Sequence, residues 1–176
     1  AVGRVDAGPT ATIARDGVIE VVEAIEVVEV PLEGLLLAVD LERVEGLVAA
    51  GVARALEEYA TDPNSFATNF TRQDAAILNI QRACEAALDM GQHIIRRESL
   101  GLPQSARDVF VLLAQAGWID DALAESMKRM VGFRNVAVHE YQALQFPITV
   151  NIITGHLSEF ANFSRSMLLK DASART

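Results

Sequence analysis

From about residue 35 onward, apolar residues recur at spacings of three and four, the period of an amphipathic helix. The stretch "LLLAVDLERVEGLVAAGVARALEEY" places Leu37, Val44, Leu47, Val48 and Leu56 on or near one face. Thr61, Asp62, Pro63 and Asn64 interrupt it. A second helix is predicted over "TRQDAAILNIQRACEAALDMGQHIIRRESL", with Thr71 and Asp74 in a capping-box arrangement. Its stripe runs through Ile77, Ile80, Cys84, Ala87, Leu88, Gly91, Ile94 and Ile95, and Gly101 and Pro103 stop it. Ser105 and Asp108 predict the cap of a short third helix through Ala116, ended at Gly117. Asp120 opens a fourth, "DDALAESMKRMVGFRNVAVH", and a fifth begins at Pro147 with Ile153, Leu157, Phe160, Phe163 and Met167 along one stripe. Connections of about 4–8 residues suit antiparallel neighbours, so the fold class is all-α, an antiparallel bundle of four to five helices.

The beginning of the chain follows neither period. "VIEVVEAIEVVEV", residues 18–30, carries glutamate at every third position, and on a helix these four side chains would spread over about half the circumference. Either a partly ordered extension or a partner-binding arm fits such a segment, and a strand is open as well. Residues 1–34 are therefore read as an N-terminal extension, 35–170 as the helical domain, and 171–176 as a flexible C-terminal tail.

Charge refines this division. The formal net charge of −9 argues against nucleic acid as a partner. The acidity is local, however. Residues 1–69 hold 4 Arg against 13 Asp and Glu, whereas residues 70–170 hold 10 Lys and Arg against 10 Asp and Glu. The helical part is thus free to present a basic patch. A lone cysteine, Cys84, forms no intrachain disulfide and no cysteine-based zinc site, which points to a reducing cytoplasm. It falls on an apolar stripe and reads as a buried, inert thiol. No signal peptide and no membrane span are expected.

The chemistry-bearing residues concentrate in "RNVAVHEY", residues 134–141. On a regular helix Arg134 and Tyr141 project within about 20° of each other, while His139 lies about 140° from Arg134. One straight helix cannot aim Arg134 and His139 at one small target. Either the helix breaks near Val138, or the two meet across a symmetric interface, one from each chain. A polar helix end with a cation near the negative pole of the dipole is the plainer alternative.

The segment "MVGFRNVAVHEY" resembles the R-x-x-x-x-H-x-Y signature of the HepT family, within the HEPN superfamily of small helical proteins. "TRQDAAILNIQRACEAALDMGQHI" and "LGLPQSARDVFVLLAQAGWIDDALAESMKRMVGFRN" resemble the family's second helix and its next two, so the likeness covers about residues 38–168. The resemblance implies a homodimeric HEPN bundle acting as the toxin of a prokaryotic toxin–antitoxin pair. It implies a metal-independent endoribonuclease with Arg134 and His139 as catalytic residues. It further implies a nucleotidyltransferase antitoxin of the MntA type that transfers AMP from ATP to Tyr141.

These residue types suit such chemistry. A ribose 2′-OH that attacks the adjacent phosphorus needs a group to take its proton and a cation for the charge that builds on phosphorus. Histidine titrates near neutrality, and arginine stays charged with a fork of donors. No cofactor and no metal is expected, because His93 and His156 lie far from His139 without an adjacent carboxylate pair. Lys128, Arg129 and Asn135 are candidate RNA contacts beside the motif. An AMP on Tyr141 would place a negative phosphodiester beside Arg134 and repel RNA. The competing reading is a non-catalytic helical module that docks a nucleotidyltransferase and serves as its modified substrate.

Overall fold

The computed structural model describes residues 40–139 and 146–174, apart from the side chains of Val138 and His139. Within them are six α-helices and no strand: α1 (Leu41–Ala60), α2 (Phe70–Arg97), α3 (Ala106–Gln115), α4 (Asp121–His139), α5 (Phe146–Gly155) and α6 (Ser158–Ala174). The all-helical expectation holds. The N-terminal extension, residues 1–34, lies outside the described residues.

α2, with 28 residues and a length of about 42 Å, is the central element. It packs against α1, α3, α4 and α6. Its predicted stripe is buried throughout, from Ile77 to Ile95. Its start differs from the sequence expectation. The cap is Asn69, whose side chain accepts from the Arg72 amide at 3.1 Å, and not Thr71 with Asp74. Asparagine caps as well as threonine and stands two positions earlier, where Gln73 also reaches back to the Phe66 carbonyl at 2.7 Å.

α1 turns a different face inward from the one its leucines suggest. Leu41, Val48, Gly51 and Ala55 face the core, while Leu47 is 58% exposed and Leu56 42%. The reason is proximity. A Cβ on Gly51 would stand 2.8 Å from the Asn79 carbonyl oxygen and 3.1 Å from the Ala83 Cβ. Small residues let the two backbones approach so closely that no leucine fits between them.

The predicted fifth helix is two helices, α5 and α6, separated at His156 and Leu157. Its stripe nevertheless points inward as expected: Ile153, Leu157, Phe160, Phe163 and Met167 are all buried. Phe163 meets Phe110 of α3 edge-on, with ring centroids 5.5 Å apart. The C-terminal tail placed at 171 is helical as far as Ala174. Asp171 is buried there and pairs with Arg97 of α2, which fixes the last turn. Trp118, between α3 and α4, packs under the same end, with the Arg97 guanidinium 5.7 Å and the Lys170 ammonium 5.8 Å from its ring centroid.

The short connections obey their local signals. Ser105 accepts from the Asp108 amide at 3.3 Å and Asp120 from the Leu123 amide at 2.7 Å, so both predicted caps hold. Gly117 closes α3 at φ +68°, a conformation that favours glycine.

Candidate active site

α4 carries Arg134 and Asn135 of the polar motif. Cys84 of α2 lies beneath it, with its Sγ 3.6 Å from the Met130 carbonyl oxygen of α4. Burial pushes that thiol up to about 12, with the Glu85 carboxylate adding to the effect and Arg134 opposing it. It is therefore neutral and unreactive, as its place on the apolar stripe suggests.

The next residue of α2 meets the motif directly. Glu85 accepts from the Arg134 side chain, with both Nε and Nη2 directed at one carboxylate oxygen. The remaining nitrogen of the fork, Nη1, donates to the Asn135 side-chain oxygen at 3.2 Å. Arg134 is thus held from two sides while its side chain stays 27% exposed and Glu85 stays 48% exposed. Sequence reasoning missed Glu85, because nothing in "ACEAAL" separates a solvated glutamate from one that faces an arginine 49 residues later.

α4 stays helical through His139. The backbone directions of residues 134 and 139 are therefore about 140° apart, as on a regular helix. The His139 side chain and Tyr141 lie outside the described residues. Lys128 pairs with Glu125 at 2.6 Å, and Arg129 donates to Ser126 at 2.8 Å. Lys128, Arg129 and Arg134 point to three different sectors around α4, so the structure does not gather them into one basic strip.

The other histidines are separate from the motif. His93 is buried, and burial together with the Arg97 and Arg96 charges holds its imidazole below its ordinary value, against the pull of Asp171. His156 lines a pocket of about 330 Å³ between α4, α5 and α6. Among the described residues, no cluster of three His, Cys, Asp or Glu side chains is arranged to hold a metal ion. Among them, too, no helix is long and apolar enough to cross a membrane.

Comparison with known proteins agrees with the helical architecture. The family described as "Ribonuclease HepT-like" matches residues 50–167. The mRNA nuclease HepT of Shewanella oneidensis is 46% identical over 110 residues, covering 62% of this chain and 83% of that protein. The solved structure of a tri-AMPylated Shewanella oneidensis HEPN toxin in complex with an MNT antitoxin superposes with a TM-score of 0.70 at 40% identity, covering 73% of this chain and 96% of that one. The cytosolic protein YutE of Bacillus subtilis, 16% identical with a TM-score of 0.64 over 74% of this chain and 87% of its own, shares the fold alone. With the family matched across most of the helical domain, the chain belongs to the HepT-like ribonuclease family.

Proposed function

We propose that this protein is the ribonuclease toxin of a toxin–antitoxin pair, cutting RNA through attack of a ribose 2′-OH, with Arg134 and His139 as its catalytic residues. The observation that carries this reading is the Arg134 guanidinium, partly exposed on α4 and fixed in orientation by Glu85 and Asn135. A preorganised cation of that kind stabilises charge developing on a phosphorane. His139 supplies the proton transfer.

The 140° between the two positions supports a site shared by two protomers, Arg134 from one and His139 from the other. The exposed Leu47 and Leu78, which line the groove between α1 and α2 together with Glu85, give a second copy an apolar surface to cover. RNA is the substrate and the cytoplasm the place of action. A nucleotidyltransferase antitoxin of the MntA type neutralises the toxin by transferring AMP to Tyr141, five positions before the start of α5 in the sequence. The phosphodiester then competes with RNA for Arg134.

The test is cleavage of a defined RNA by purified protein in the presence of a chelator. Cleavage should disappear in Arg134→Ala and His139→Ala, and at any position where the 2′-OH is replaced by hydrogen. Unchanged cutting by either variant would sink the catalytic assignment. Incubation with the antitoxin and ATP, followed by mass spectrometry, should place added AMP on Tyr141. Addition elsewhere would remove the control step while leaving the nuclease intact.

A further inference from the structure

The pocket between α4, α5 and α6 has no place in the cleavage chemistry, yet it adjoins it. Its α4 wall contains Gly132 and Val136. The next position on that line, three residues beyond Val136, is His139. Phe133, Val136 and Ile152 give the cavity apolar walls, and Arg129, Asn151 and Glu159 stand around it with one guanidinium, one amide and one carboxylate. Gly132 also makes room for a second cation. A Cβ there would stand 2.9 Å from the Nη2 of Arg107, which comes across from α3.

A volume of about 330 Å³ lies at the small end of ligand pockets, sufficient for one nucleobase and part of its sugar. Ribonucleases that act on single strands read bases splayed out of the stack, through apolar walls and hydrogen bonds to the base edge. The polar set here matches guanine. A carboxylate accepts from guanine N1–H and N2–H₂, and an arginine fork donates to O6 and N7. Adenine offers an acceptor at N1 instead, which faces a carboxylate unfavourably.

We propose that this pocket is a base-specificity subsite that seats a guanine of the RNA next to the scissile phosphate, with Glu159 and Arg129 reading its edge and Arg107 facing the backbone. The proposal rests on the ribonuclease reading, and binding is measured separately so that the two fail separately. In the His139→Ala protein, titration with guanosine 3′-monophosphate followed by calorimetry should give binding at least about tenfold tighter than with adenosine or cytidine 3′-monophosphate. Glu159→Gln and Asn151→Ala should each weaken guanosine binding by about tenfold or more while melting at the parent temperature, since Asn151 is exposed and Glu159 only half-buried. In the otherwise native protein, Glu159→Gln should still cut RNA but lose its preference for sites beside guanine, read by sequencing the product ends.

Equal binding of all three nucleotides, or binding untouched by Glu159→Gln and Asn151→Ala, overturns the subsite. So does a native enzyme that cuts without base preference. Tighter binding of the adenosine nucleotide would assign the pocket to an adenylyl group and overturn it equally. Guanosine-selective binding in a protein that cuts no RNA would leave the subsite standing and defeat the ribonuclease reading.

Discussion

Arg134 of α4 and Glu85 of α2 form a two-pronged contact, with Nε and Nη2 of the guanidinium meeting one carboxylate oxygen. Both side chains are partly exposed, so the pair adds at most about 1 kcal/mol to stability. Its consequence is orientation of the guanidinium, which in the proposed mechanism would meet the substrate phosphate. Glu85→Ala frees the guanidinium and is expected to lower kcat by about tenfold, with little change in melting temperature. Glu85→Gln keeps an acceptor and removes the opposing charge, so KM for RNA should fall with kcat nearly unchanged. Steady-state cleavage kinetics separate the two, and identical effects of both variants on kcat would remove the positioning role.

A shared site has a numerical signature. On the proposed mechanism, Arg134→Ala and His139→Ala should each be inactive alone. When equal amounts are unfolded and refolded together, about half of the dimers are mixed, and each mixed dimer rebuilds one intact site of two. Activity should therefore recover to about 25% of the native value. If Arg134 and His139 act within one chain, the mixture stays inactive.

His93 confers an acid sensitivity on the fold. Its folded-state value is depressed below 6.5, first by burial and then by Arg97 and Arg96, with Asp171 opposing. The unfolded chain therefore takes up a proton before the folded one does. The contribution of His93 is complete above about pH 6.5 and is lost as the pH falls through the lower folded value. Melting temperature should drop over this window in the native protein and drop less in His93→Gln. Parallel pH profiles for the two proteins would contradict this.

Gly51 sets the separation of α1 and α2. The Asn79 carbonyl oxygen that a new methyl would meet at 2.8 Å belongs to the backbone and cannot swing aside. Gly51→Ala should destabilise the protein by about 1–3 kcal/mol in urea unfolding, despite the higher helix propensity of alanine. Gly46, with nothing within 4 Å of its added Cβ, is the control, and Gly46→Ala should be neutral or stabilising.

The contrast between α1 and α2 shows what was legible in the chain. The α2 stripe from Ile77 to Ile95 read correctly because its apolar residues alternate cleanly with charge. In α1 the same spacing rule selected Val48 and Val44, which pack on the core, but also Leu47 and Leu56, which face outward. Hydrophobicity marks candidates for burial, but the distance between two backbones decides which of them fit. Likewise Ser105 and Asp120 declared their caps through their own side chains, whereas the separation of α5 from α6 lay hidden in a stripe that both helices share.

The sequence alone determined the helical class, the buried stripe of α2, the inert setting of Cys84 and the likeness to the HepT family, because periodicity, caps and residue chemistry are local properties. Only the tertiary structure decided that Glu85 holds Arg134, that Asp171 anchors the last helix to Arg97, and that a polar-rimmed cavity lies along the line leading to His139. Those relationships join residues tens of positions apart, and they exist only once helix packing has fixed distances that no spacing along the chain encodes.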